Sequence, residues 1–89
     1  MKKYRITIEW KIWNTQDENR GYFVGISTLV TEASSYVQLM NIAIDFCHSI
    51  PSWEFERNHI DLNEYKDKKY CTYHYRTEIT SISKIEKVN

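Results

Sequence analysis

Glycine and proline are nearly missing from this sequence of 89 residues, which has two of the first and one of the second, and cysteine occurs only twice. With only Gly21 and Gly25, no glycine-rich turn joins a strand to a helix, which excludes the phosphate-cradling loops of dinucleotide and triphosphate sites. Cys47 and Cys71 are too few to staple a small secreted domain, so a reducing compartment, the cytoplasm, is expected. No long apolar run exists. The longest, Tyr36 to Cys47, carries Gln38, Asn41 and Asp45 and is too short and too polar to cross a bilayer, so no membrane role is expected. Arg5, Glu9 and Lys11 interrupt what would have to be the apolar centre of an export signal after Lys2 and Lys3. Net charge is also missing: twelve basic residues balance twelve acidic ones. The whole-chain field therefore offers no drive toward duplex DNA or anionic membranes.

Aromatic residues are plentiful, with seven Tyr, three Trp and three Phe. A chain this short buries only about 60 to 65% of its unfolded surface, enough for one core. One domain over residues 1–89 is the expectation, without repeats or linkers. Abundant Lys, Ile, Asn and Tyr beside rare Ala, Gly and Pro is the bias of an AT-rich coding sequence, and associates the chain with a low-GC bacterium, a phage or a mobile element.

Tyr4, Ile6, Ile8, Trp10 and Ile12 alternate with Arg5, Thr7, Glu9 and Lys11, the period-two pattern of a strand with one dry and one wet face. Asn14 to Gly21 is a polar connecting loop. Tyr22, Val24, Ile26 and Val30 then resume the alternation as a dry face, opposite Phe23, Gly25, Ser27 and Leu29. Ser35 and Gln38 form a capping box, which predicts a helix from residue 35 to about 49. On it Ser34, Gln38, Asn41, Asp45 and His48 make one narrow polar stripe, and most of the remaining circumference is apolar. Pro51 ends the helix. Trp53 and Phe55 opposite Glu54 and Glu56 predict a third strand, broken near Arg57 to His59. A charged turn at Lys66 to Lys69 precedes a fourth strand, in which Cys71, Tyr73, Tyr75 and Ile79 alternate with Thr72, His74, Arg76 and Glu78. Residues 79–89 fit a bulged strand better than a helical turn. The expected fold is α+β, two-layered, with one helix on a mainly antiparallel four-stranded sheet in the order β-β-α-β-β. The helix then covers Tyr4, Ile6, Ile8, Trp10, Val24, Ile26, Tyr73 and Tyr75.

Chemistry-bearing residues are scattered. Cys47, His48, His59, Cys71 and His74 are of zinc-ligand type, but Cys71 and His74 fall on opposite faces of a strand, and Cys47 and His48 are about 100° apart on a helix. Cys47 stands at a helix C-terminus, where the dipole raises a thiol pKa, so a core role outweighs a nucleophilic one. Gly25-Ile26-Ser27 is half of a nucleophile elbow with Leu29 in place of the second glycine. Glu54 and Glu56 share a strand face and could divide acid and base work, but guarding an exposed strand is the plainer role. No catalytic, metal or cofactor site is expected.

Binding is the remaining class. A helix apolar beyond what one sheet face can hide, together with Trp13, Phe23, Leu29, Trp53, His74 and Arg76, marks a surface for a protein partner. The expectation is a non-enzymatic interaction module, of inhibitor or immunity type, that occludes a protein partner, with homodimerisation as the simplest cover for the apolar excess. The alternative is a single-stranded nucleic-acid binder, with Arg5, Lys11 and Arg76 beside Trp13, Phe23, Tyr70 and His74 on the open sheet face.

Overall fold

The structure, a computed structural model, describes residues 1–88; Asn89, the end of the expected last strand, lies outside them. Its frame is a three-stranded antiparallel sheet in the order β2-β1-β3, formed by β1 (Lys2–Asn14), β2 (Tyr22–Ala33) and β3 (Tyr75–Val88). The strands are long for so small a chain, and the molecule extends 49 × 20 × 18 Å. Helices α1 (Tyr36–His48) and α2 (Ser52–Arg57) and a short 3-10 turn at Leu62–Tyr65 cover one side of the sheet.

The alternation in β1 is obeyed throughout: Ile6, Ile8, Trp10 and Ile12 are fully buried, and the odd-numbered residues face outward. Helix α1 starts at the predicted Ser35 cap, with the return bond of Gln38 falling one residue earlier than in a strict capping box. The Ser35 hydroxyl accepts the Gln38 N–H at 3.2 Å, and Gln38 Oε1 accepts the Ser34 N–H at 2.6 Å. Leu39, Ala43 and Cys47, spaced by four, form its buried line, with Ile42 and Phe46 beside them. At its last turn the Thr77 hydroxyl of β3 donates to the Cys47 carbonyl, one of the carbonyls a helix leaves unpaired. The expected polar stripe is at or near the surface, and Tyr36 and Val37 are exposed apolar residues at the helix start.

Three expectations are corrected. First, the sheet has three strands among the described residues, because the segment after Pro51 is helical. Pro51 occupies the N-cap position of α2 with Glu54 in the first turn, so the proline both follows one helix and opens the next. Trp53 and Phe55 therefore diverge: Trp53 is exposed, while Phe55 is buried edge-on against Trp10 at 5.5 Å and against Tyr75 at 5.6 Å. Second, Cys71 and Tyr73 precede the sheet. Cys71 has a positive φ of 57°, which suits a turn, and Tyr73 makes only an isolated bridge to Lys66. The end of the chain is a strand with bulges, as expected, since the β1–β3 register shifts between Thr7 and Ile8 and again between Glu9 and Trp10.

Third, the dry side of β2 is the opposite one. Gly25, Ser27 and Ala33 are buried and Leu29 is half-buried, whereas Tyr22, Val24, Ile26 and Val30 are 61, 54, 51 and 52% exposed. The register explains this, because Gly25, Ser27 and Leu29 lie opposite Trp10, Ile8 and Ile6. Residues directly opposite share a face. The Trp10 indole needs the empty space above Gly25, where an added Cβ would overlap the ring, and its Nε1–H donates to the Ser27 hydroxyl at 2.9 Å. Volume and hydrogen bonding at one tryptophan outweigh the greater apolarity of the other set.

Candidate functional site

The inverted β2 places a row of apolar side chains on the outer, helix-free face of the sheet. Tyr22, Val24, Ile26, Thr28 and Val30 stand opposite Trp13, Lys11, Glu9, Thr7 and Arg5 of β1. On the far side of β1, Trp13 meets Arg76, Lys11 meets Glu78 and Glu9 meets Ser81. The outer face is thus an apolar stripe along β2 beside a polar field across β1 and β3.

At one end of the face aromatics and cations interlock. Lys11 Nζ lies 5.4 Å from the Trp13 ring centroid and 5.5 Å from that of Tyr22, and the Arg76 guanidinium lies 5.9 Å from Trp13. Glu78 is shared, at 3.9 Å from Lys11 and 3.7 Å from Arg76. Such exposed pairs are each worth up to about 1 kcal/mol, so the cluster orders its side chains more than it stabilises the fold. Lys11, Trp13, Gly21, Tyr22 and Glu78 enclose a shallow hollow of about 340 Å³.

The free edge of β2 is closed at one point. Asn58, just past α2, accepts the Ile26 N–H through Oδ1 at 2.9 Å and donates through Nδ2 to the Ile26 carbonyl at 3.2 Å. One carboxamide thereby stands in for a neighbouring strand. It also donates to the Glu54 carbonyl at 2.8 Å, which ties the plug to α2.

The residues picked from sequence for binding are not all brought together. Trp13 and Arg76 meet on the outer face as described. Phe23 and Leu29 belong to the helix side: Phe23 borders a small hollow with His59, Ile60 and Glu64, and Leu29 packs against the core. Trp53 is exposed on α2, away from the outer face, and His74 sits by the charged turn, 3.1 Å from the Thr72 hydroxyl and 3.8 Å from the Asp67 carboxylate. Tyr22, Val24, Ile26 and Val30 were missed as surface residues because their alternation reads as a dry face. The available signal was a bulky Trp10 needing a small partner, which Gly25 supplies.

Glu54 is not on an exposed strand face with Glu56. It is buried, accepts the Ser27 hydroxyl at 2.5 Å and lies 3.6 Å from the exposed Arg57 guanidinium, while Glu56 points to solvent. Ser27 is fully engaged, accepting from Trp10 and donating to Glu54, which makes it a structural link between sheet and helix. Burial pushes the Cys47 thiol up to about 11, so its thiolate is scarce at neutral pH. Burial and the Glu64 carboxylate likewise push up the Tyr65 hydroxyl, against the opposing pull of Arg20. Among the described residues no three His, Cys, Asp or Glu side chains are grouped to hold a metal ion, and no helix is long and apolar enough to cross a membrane.

Comparison with protein-family models, with curated proteins and with solved structures finds no match for this chain.

Proposed function

We propose that this chain is a small non-enzymatic protein-interaction module that binds a protein partner through the outer face of its sheet. The observation that carries the reading is the row Tyr22, Val24, Ile26 and Val30, each more than half exposed on one side of one strand. Covering a half-exposed Val or Ile is worth roughly 1 kcal/mol, so the row is a standing source of binding energy. Trp13, Tyr22 and Arg76 at its end are of the residue types that most often anchor protein interfaces. A preformed face on long strands acts by occlusion, which suits an inhibitor or immunity-type role in the cytoplasm, and the AT-rich compositional bias goes with a phage or mobile-element origin.

The charge pattern favours a protein over a single-stranded nucleic acid. Lys11 and Arg76 are both engaged by Glu78, and Lys84 by Glu86 at 3.4 Å, so these cations are partly neutralised before any phosphate arrives.

The test is paired capture from host lysate on the immobilised wild type and on Ile26→Asp, with circular dichroism to confirm an unchanged fold. A protein retained by the wild type and lost with the variant is expected. Equal retention by both would overturn the reading, as would salt-dependent binding of oligonucleotide abolished by Trp13→Ala or Arg76→Ala.

A further inference from the structure

We infer that the free edge of β2 pairs with β2 of a second copy of this chain, antiparallel and with Val30 on the two-fold axis, which joins the two sheets into one of six strands. The inference rests on the protein-binding reading of the same strand and names its occupant.

The two edges of the sheet are built differently. β3 carries extra residues at Thr80 and Ser83, where the register with β1 shifts, and such bulges twist an edge away from further pairing. β2 pairs with β1 without interruption from Tyr22 to Ala33. Because Ile26 turns both its N–H and its C=O to Asn58 at the free edge, every second residue along this unbulged strand does the same. Thr28, Val30 and Glu32 therefore direct their backbone groups outward, and among the described residues nothing meets them.

The register follows from what is already occupied. In an antiparallel pair about a two-fold axis, the numbers of opposing residues have a constant sum. With Val30 on the axis, Thr28, Val30 and Glu32 meet Glu32, Val30 and Thr28 of the second copy, so every free edge position between the Asn58 plug and the end of the strand is used. Ile26 and its Asn58 plug then fall opposite Ser34, where the second chain has already left its strand. Centring on Thr28 instead would drive Val30 into the Asn58 plug. Centring on Glu32 would set two carboxylates face to face and leave Val30 opposite a non-strand residue. Val30 is 52% exposed, so the chosen register also brings two half-exposed valines together. Zero net charge means that two copies meet without long-range repulsion.

The experiment is sedimentation of the purified full chain over a concentration series, with Val30→Lys and, as control, Thr80→Lys on the other edge strand. The Val30 side chain is exposed and its N–H unpaired, so the first variant keeps its fold; circular dichroism and thermal midpoint check this. A reversible dimer for wild type and Thr80→Lys, with association weakened roughly tenfold or more in Val30→Lys, is expected. Hydrogen exchange on dimerisation should slow the amides of Thr28, Val30 and Glu32 and leave those of Tyr22 and Val24 unchanged. A wild type monomeric throughout, a Val30→Lys dimer as tight as wild type, or protection centred elsewhere would overturn the inference. A monomeric wild type whose captured partner is lost with Ile26→Asp would remove the self-pairing alone, leaving the protein-binding face in place.

Discussion

Gly25 lies directly across the β1–β2 ladder from Trp10, and the indole fills the space that a side chain on Gly25 would take. The strand is therefore notched at one position to admit the largest fully buried side chain of the core. The pairing of a strand glycine with a cross-strand aromatic recovers some of the packing that glycine forfeits.

Gly25→Ala should cost about 2 to 3 kcal/mol, because the neighbour of the new methyl group is a ring held by the Ser27 hydrogen bond and by Phe55. Urea unfolding followed by far-ultraviolet circular dichroism measures this, and an unchanged midpoint would show that the ring can move aside.

Ser27→Ala removes one hydroxyl and leaves two buried groups short of a partner, the Trp10 indole N–H and the Glu54 carboxylate. A loss of about 2 to 3 kcal/mol is expected. Glu54→Gln keeps an acceptor for the hydroxyl and should lose less; a larger loss than for Ser27→Ala would contradict the role of Ser27 as the link between Trp10 and Glu54.

Asn58→Ala strips the plug from Ile26 and should cost about 1 to 2 kcal/mol. Amide exchange should accelerate at Ile26, whose N–H then faces solvent, while the amide of Trp10 in the middle strand stays protected. Faster exchange at Trp10 than at Ile26 would refute the assignment of the two ladders.

The Cys47 thiol is raised from an ordinary 9.0 to about 11 in the folded chain. Between those values the unfolded chain has released the proton and the folded chain has kept it, so rising pH favours unfolding; below pH 9 the contribution is constant. Denaturation midpoints should fall from pH 9 to 11 more steeply in wild type than in Cys47→Ala. At pH 8 in native buffer, a thiol reagent should modify exposed Cys71 quickly and buried Cys47 only on unfolding.

How far the fold was legible differs by segment. In β1 the isoleucines and Trp10 all share one parity, so period two alone identifies both the strand and its buried side. In β2 both parities carry large apolar residues, and the choice depends on a long-range match, Trp10 with Gly25 and Ser27, that no local pattern encodes. The Trp53–Phe55 stretch fails for a different reason: two aromatics two apart fit a strand, but a six-residue helix also sends them to different surroundings, and Pro51 can open a helix as well as end one. Of the proposed contact residues, Trp13 follows from the parity of β1 and Arg76 from that of Tyr75 and Glu78 in β3, whereas Phe23 and Leu29 fall on the helix side together with the inverted β2.

The middle strand of the sheet is the earliest element along the chain, and one of its two neighbours, β3, is the latest. Lys3 is paired with Val88, so completing the sheet closes a loop containing both helices. Loop closure of that length precedes the contacts that reward it, so acquisition of the native state should be slow for so small a protein. During synthesis the first hairpin waits on the ribosome with one flank of β1 bare until the last strand emerges, and that interval is when the nascent chain is most open to mispairing.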